Sequence, residues 1–349
     1  MHSELVSLSG KDFPPRVSVL IVNYNSGEYL ARCLKHLRQQ TLTDWEAIVL
    51  DNGSADDSLA RAECRDPRIR IVRLGANLGF AAANNRGIAL VRGRWVATLN
   101  PDAFPAPDWL DKLLDAAERY PLFRFFGSTQ ISAERPDRLD GAGDCYHFLG
   151  IPWRGGYGQP VSTLPPEGEV FSPCAAAALY STELLREAGG FDESFFCYCE
   201  DVDLAFRLRL RGERCLQVKG AVVYHQGSAI CGVNSPFSLY HGSRNRLWIF
   251  LKNMPAPLLP ILLPLHLLAT AYLLLLVANT PRLRPSWEGW LAGFRGMGNI
   301  LREREKIQAA RRISSWQCFS TFTWSFATLQ RRHPDIRPVP SFPATPPSA

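Results

Sequence analysis

The chain has 349 residues, 46% hydrophobic and 21% charged, which gives a folded protein of one large or two modest domains with ample core. Its net charge of +6 belongs to the tail, with 11 Lys+Arg against 4 Asp+Glu from Thr280 onward and 28 against 29 before it, and no nucleic-acid partner is expected. Nine scattered cysteines without paired CxxC spacing, and no secretory-like apolar segment at the N-terminus, argue against zinc and for reduced thiols in a cytosolic compartment.

Residues 1–15 form a lead-in ending at Pro14-Pro15. Val17–Val22 is a compact β-branched run, as expected for a strand buried on both faces, and Tyr29–Gln40 has helical periodicity. Strands are predicted over 45–50, 69–74 and 95–99, with helices over 57–64 and 81–91 between them. This alternation implies a parallel α/β sheet with right-handed crossovers. Ligands bind such sheets at the carboxyl ends of the strands, where Tyr24, Asp51-Asn52 and Asp102 fall. Each of these groups also reads as a turn: Asp51-Asn52-Gly53-Ser54 has favourable turn residues, and Asp102 could cap a helix over 107–117. Neither GxGxxG after the first strand nor GxxxxGK[ST] is present, which argues against dinucleotide and P-loop sites.

Between Phe123 and Pro173 glycine, proline and aromatics dominate, as in Leu139–Asp144 and Trp153–Gly158. This predicts irregular strands and a mobile loop over the site, with Trp153 or Tyr157 available to stack on a sugar. Gly189-Gly190 fits a helix C-cap. Then come three carboxylates in four residues, Glu200, Asp201 and Asp203, opening a helix in which Val202, Phe206 and Leu210 share a face. The acids alone could express only the N-terminal charge preference of a helix. The arginines that follow them are expected on a solvated face.

The succession Val17–Asn25, Asp51-Asn52-Gly53-Ser54, Asn77-Leu78-Gly79-Phe80 with Asn84-Asn85-Arg86-Gly87, Asn100-Pro101-Asp102-Ala103 and Glu200-Asp201-Val202-Asp203 resembles the family 2 glycosyltransferases of GT-A fold, in their bacterial rhamnosyltransferase-like branch. The resemblance covers Val17 to Lys252. Beyond it, the apolar run with basic flanks predicts a C-terminal helical membrane-associated region (253–333), and glycine and proline content a disordered tail (334–349). The resemblance itself implies a Rossmann-like, mostly parallel central sheet flanked by helices (residues 16–252). It also implies inverting transfer of a sugar, best taken as L-rhamnose from dTDP-rhamnose, to a lipid-linked or growing cell-surface glycan. Other readings are a different UDP- or dTDP-sugar, or a non-catalytic membrane scaffold, against which the intact acids speak.

Such a transfer needs a base for the acceptor hydroxyl and charge stabilisation for the departing diphosphate. The resemblance assigns the base to Asp201, with Glu200 orienting the site and Asp203 supporting the helix start. Asp102 matches the last acid of the DxD motif, which holds a divalent cation, Mg²⁺ or Mn²⁺; Asn100 stands where an aspartate is often found. His225 is placed facing the metal and diphosphate. Tyr24 is expected near the base, Asp51 or Asn52 at its edge, and Asn84 or Arg86 at base or phosphate. Arg244 and Arg246 could clamp diphosphate through guanidinium forks, or form a basic membrane-proximal flank.

Residues 254–278 are almost uninterruptedly apolar, long enough to cross a bilayer. Prolines 255, 257, 260 and 264 and basic residues at both ends favour a re-entrant hairpin near Pro264 or an in-plane segment, either of which keeps both flanks cytoplasmic. Residues 287–312 read as an interfacial amphipathic helix, and 316–329 as an aromatic surface. The expected partners are therefore a nucleotide sugar, a polyprenyl-diphosphate-linked acceptor and the cytoplasmic face of a bacterial inner membrane.

Overall fold

The computed structural model describes residues 14–62, 65–227, 232 and 234–339. Most of the expected lead-in, the end of the helix expected over 57–64 and the tail from 340 lie outside the described residues. Strand β1 (Val17–Asn23), helix α1 (Tyr29–Arg38), β2 (Trp45–Asp51), α2 (Ser58–Arg61), β3 (Ile69–Arg73), α3 (Phe80–Ile88) and β4 (Trp95–Leu99) follow the alternation read from the sequence. β1 pairs in parallel with β2 and β4, and β2 with β3.

The next elements are β5 (Ala103–Pro105), α4 (Trp109–Arg119), β6 (Phe125–Ser132), β7 (Leu139–Ala142), β8 (Asp144–His147), β9 (Ile151–Arg154) and β10 (Gly168–Val170). They are followed by β11 (Ala177–Ser181), α5 (Thr182–Glu187), α6 (Glu200–Leu210) and β12 (Cys215–His225). β11 lies antiparallel between β4 and β6, and β12 runs parallel to β6, which makes a ten-stranded mixed sheet. The parallel half is the part legible in the sequence. The stretch expected to hold irregular strands and a mobile loop does form strands: β6 is central, and β8 and β9 form a separate hairpin with Asp144 opposite Arg154.

Because β1 is buried on both faces, its side chains divide between two cores. Val17, Val19 and Ile21 pack with α1 and α4, whereas Leu20 and Val22 pack with α3, α5 and α6. A third core joins the other face of α6 (Val202, Phe206, Leu210) to the C-terminal helices through Leu247, Phe250, Leu262, Ile300 and Phe322. These helices are α7 (Pro236–Asn253), α8 (Leu259–Leu276), α9 (Leu283–Arg295), α10 (Met297–Ala309), α11 (Ser315–Ser320) and α12 (Phe326–Gln330).

Helix α6 is thus covered on both sides, and two of its arginines are not solvated as expected. Arg209 is buried, donating from Nε to the Phe171 carbonyl at 2.6 Å and pairing with Glu169 at 3.0 Å. Arg207 donates to Asp203 and to the carbonyls of Ala188 and Gly190. The chain needs these partners because the helical region leaves little water beside α6.

Helix α8 runs through Pro264 without reversing, so the re-entrant hairpin is absent. The proline sits in the second turn, where the apolar run continues and nothing turns the chain back. Among the described residues α8 is the one helix long and apolar enough to cross a membrane. Its burial is inverted relative to a soluble amphipathic helix. Leu262, His266 and Thr270 face the protein, while Ile261, Leu268, Tyr272, Leu275 and Leu276 are 60–71% exposed. His266 Nδ1 donates to the Leu149 carbonyl at 2.8 Å, and its ring stacks on Phe250. A Cβ on Gly150 would come within 2.5 Å of that imidazole, so glycine lets the β8–β9 turn seat on α8. The amphipathic stretch expected as one helix divides into α9 and α10 at Gly296. Residues 334–339 also depart from expectation: Arg337 exchanges backbone hydrogen bonds with Glu169.

Candidate active site

The ends of β1, β2 and β4 open into a cavity of about 490 Å³ lined by Tyr24, Asn52, Asn100, Asp102, Arg154 and His225, among others. Asp102 follows β4, and His225 ends β12, which pairs with β5 at His225 opposite Ala103. That pairing brings His225 Nε2 to 3.3 Å from Asp102 Oδ1. Its Nδ1 lies 2.7 Å from Asp140 Oδ2, and the same oxygen accepts from Arg154 Nη1 at 2.5 Å. The result is a buried relay, Asp102–His225–Asp140–Arg154. Burial disfavours charge on His225, but the two carboxylates outweigh it and raise its pKa to about 9. Burial likewise opposes charge on Asp102 and Asp140, yet their pKa values are lowered because the imidazole, and Arg154 for Asp140, favour the anions.

The residues fit a divalent cation. His225 Nε2 is buried and has no well-aligned hydrogen bond, while Asp140 holds Nδ1, the arrangement that orients Nε2 as a ligand for a cation that displaces its proton. Octahedral bonds of about 2.1 Å put neighbouring ligand atoms about 3.0 Å apart, close to the observed nitrogen–oxygen edge.

A second cavity, about 290 Å³, abuts the first and shares Phe80, Asn100, Arg154, Cys197 and Tyr198 with it. Glu200, Asp201, Asp144, Cys174 and Trp153 also line it. Single ligand-type atoms of Asp144, Cys174 and Asp201 lie within 4.8 Å of one another. Burial raises the pKa values of all three acids, those of Glu200 and Asp144 well above the carboxylate range, with the charge of Asp201 adding to each. Asp201 is opposed in this by two backbone donors, Ala175 N to Oδ2 at 3.1 Å and Val202 N to Oδ1 at 2.8 Å. Of the three, Asp201 is therefore the one built to carry the negative charge.

The loop that delivers these acids is strained. Phe196, Tyr198 and Cys199 have φ of 65°, 69° and 65°, positive values that L-residues adopt at a cost of about 1–3 kcal/mol each. The amide of Asn245 holds it, with Nδ2 at 3.0, 2.9 and 2.7 Å from the carbonyls of Phe195, Cys197 and Tyr198. Gly79 makes room on the other side, since a Cβ there would meet Phe196 at 2.6 Å.

Of the residues singled out in the sequence, Tyr24, Asn52, Asp102, His225, Glu200 and Asp201 line the two cavities. Asn52 is nevertheless occupied: Oδ1 accepts from Leu78 N and Nδ2 donates to Asn77, so its amide shapes the 77–79 loop. Asp51 accepts from Asn23 Nδ2, Asn84 donates to the Phe80 carbonyl, and Arg86 is exposed; none of the three lines either of these cavities. Arg244 and Arg246 line neither cavity. Arg244 donates to the carbonyls of Ser194 and Phe195 and lies over Trp248, because α7 packs behind the strained loop and turns this side chain toward it. Asp203 is consumed by Arg207, Lys252 and Asn253. Trp153 reaches the second cavity, while Tyr157 is exposed beside Arg332.

Sequence reasoning missed Asp140, Asp144, Arg154 and Asn245. The first three stood in the glycine-rich stretch, where acids four apart between glycines were the available signal. Nothing local marked Asn245, because its role depends on a loop nearly fifty residues away.

A family model described as "Glycosyl transferase family 2" matches residues 18–186. The chain is 32% identical over 259 residues to the N-acetylglucosaminyl-diphospho-decaprenol L-rhamnosyltransferase of Mycobacterium tuberculosis, covering 67% of this chain and 83% of that one. Among solved structures, GalNAc-T7 with UDP, GalNAc and Mn²⁺ aligns with a TM-score of 0.55 at 16% identity, over 67% of this chain and 48% of that one, so the chain spans about half its length. The mannosyltransferase PcManGT of Pyrobaculum calidifontis, in complex with GDP-Man and Mn²⁺, aligns with a TM-score of 0.50 at 17% identity over 88% and 87%. These structural likenesses show the fold.

Proposed function

The chain belongs to glycosyl transferase family 2 and is a glycosyltransferase, and from that premise we propose that it moves L-rhamnose from dTDP-rhamnose onto a polyprenyl-diphosphate-linked glycan with inversion. The observation that carries the reading is the pair of abutting cavities, one with Asp102 and His225, the other with an aspartate whose anion two backbone amides favour. Tyr24 packs beside the nucleotide base. Asp102 and His225 would hold a divalent cation, and Asp140 would fix the imidazole tautomer that faces it. A cation there supplies charge neutralisation for the diphosphate.

Asp201 accepts the proton of the acceptor hydroxyl while that oxygen bonds to the anomeric carbon. Burial raises the pKa values of Glu200 and Asp144 beside it, which favours their protonated forms and limits repelling charge in the pocket. Bonding and breaking occur on opposite faces of the sugar, so the anomeric configuration inverts.

The lipid-linked acceptor is supported by the substrate in the relative's name and by α8. The helix lies in the plane of the membrane's cytoplasmic face with Ile261, Leu268, Tyr272 and Leu275 toward lipid. The assay is transfer from a panel of dTDP- and UDP-sugars to N-acetylglucosaminyl-diphospho-polyprenol, with Mg²⁺ or Mn²⁺, read by mass spectrometry and by NMR of the new linkage. Turnover with dTDP-rhamnose and an inverted anomeric centre is expected. Turnover with a UDP-sugar alone would replace the donor, and a retained configuration would remove Asp201 as base.

A further inference from the structure

We propose that Arg154 is a catalytic residue of this transfer, contacting the donor diphosphate and taking up the charge that the leaving group gains. The inference rests on the donor being a nucleoside-diphosphate sugar.

The position of Arg154 singles it out. Among the described residues it is the one arginine or lysine lining either cavity, and it lines both. It stands between Asp102 and His225 on one side and Glu200 and Asp201 on the other, where the bond between sugar and diphosphate must lie. The arginines that the sequence offered for this task, Arg244 and Arg246, line neither cavity.

The side chain is also prepared for a ligand. A guanidinium carries five N–H donors, and Asp140 accepts from Nη1. About 30% of the side chain is exposed. Its stem passes over Gly141, where a Cβ would come within 2.6 Å of Cγ. Gly227, with φ of +63°, performs the same service for Asp140, since a Cβ there would lie 2.9 Å from Oδ1. Both glycines keep open the space in which carboxylate and guanidinium meet. The two faces of Asp140 thus orient His225 and Arg154 through a single oxygen.

The chemistry asks for such a cation. As the acceptor oxygen bonds to the anomeric carbon and its proton passes to Asp201, the bond from that carbon to the diphosphate breaks. The electron pair stays on the diphosphate oxygen, so the nucleoside diphosphate leaves with one more negative charge than it had in the donor. A fixed guanidinium at that oxygen binds the departing group more strongly than the intact donor, which is the condition for lowering the barrier. A counter-ion serving only the buried carboxylates Asp140 and Asp201 would show no preference for a diphosphate.

The test is calorimetric titration of wild type, Arg154→Gln and Arg154→Lys with dTDP, UDP, dTMP and UMP, each with Mg²⁺ and with EDTA. Arg154→Gln is expected to weaken the diphosphates at least tenfold and the monophosphates less than twofold, in EDTA as in Mg²⁺, with turnover at least a hundredfold down. Arg154→Lys, which keeps the charge and loses the fork, should fall between, and it carries the same comparison if the glutamine variant does not fold. Unchanged diphosphate affinity, or equal loss for mono- and diphosphates, overturns the assignment. Wild-type protein that binds none of the four nucleotides sinks the nucleotide-sugar reading itself, and this assignment with it.

Discussion

Replacing Asn245 with alanine isolates the support of the strained loop. One NH₂ group carries two hydrogens, so the three carbonyls within reach of Nδ2 share two hydrogen bonds at any moment. At about 1 kcal/mol net for each, the direct loss of stability is about 2 kcal/mol. Phe195 is spared part of it, because Arg244 also donates to its carbonyl at 2.8 Å. With an unfolding entropy of roughly 2.1 cal/mol/K per residue, a loss of that size lowers Tm by about 3 °C in a chain of this length. The effect on catalysis is expected to be larger. Without the amide, Phe196, Tyr198 and Cys199 can leave their positive-φ conformations, and the start of α6 moves with them. A shift of about 1 Å in Glu200 and Asp201 reduces turnover roughly a hundredfold. Thermal unfolding and steady-state kinetics on the same preparation test both numbers. A variant that loses the expected stability and keeps wild-type turnover would show that the loop holds its shape without Asn245, and the positioning argument would fail.

Asp201→Asn should abolish transfer while leaving nucleotide affinity within about twofold; turnover near wild type would remove it as base. Because burial raises the pKa of Asp201, the acid limb of kcat/KM is expected above the ordinary aspartate value of about 3.9, and a limb at or below that value contradicts the electrostatic account. Asp144 carries a raised pKa in the folded state, so the folded protein binds more protons than the unfolded chain between the two pKa values and stability falls as pH rises through them. Asp144→Asn should therefore raise Tm at pH 7, with the gain vanishing below about pH 4, where both states are protonated; a lowered Tm at pH 7 would show that the carboxylate stabilises the fold. Leu268→Glu with Leu275→Glu should move the protein from the membrane to the soluble fraction without lowering Tm, and continued sedimentation with membranes would place the anchor elsewhere.

The parallel half of the sheet was legible because β1, β2 and β4 are short β-branched runs between turn residues, a signal that burial on both faces produces locally. Asp102, His225, Glu200 and Asp201 could be read because each follows or ends a strand or opens a helix and so announces its position along the chain. Asp140 and Arg154 could not be read in the same way. They lie on β7 and β9, whose pairing partners are set by the tertiary fold, and their surroundings of glycine and aromatics look like a loop. The same limit explains the α6 arginines. Their spacing fits an exposed face, and the partners that bury them, Glu169 and the Phe171 carbonyl for Arg209 and the carbonyls of Ala188 and Gly190 for Arg207, are brought there by the tertiary fold. The protein-facing side of α8 was hidden for a different reason: an all-apolar stretch has no periodicity to show which side meets protein, and His266 and Thr270 reveal it only once packed.

The β8–β9 hairpin has a mechanical consequence. At one end it bears Asp144 and Arg154, and at the other its turn rests on α8 through Leu149 and Gly150. Three residue steps separate the ends, about 10 Å at roughly 3.3 Å per step. If α8 lies on a bilayer as proposed, that ladder would be a spacer of fixed height under the reaction chamber. A lipid-linked acceptor would then have to lift its hydroxyl to this level to be glycosylated, and a headgroup bearing too few or too many sugars would present it below or above. The hairpin would then gauge how far an oligosaccharide has already grown.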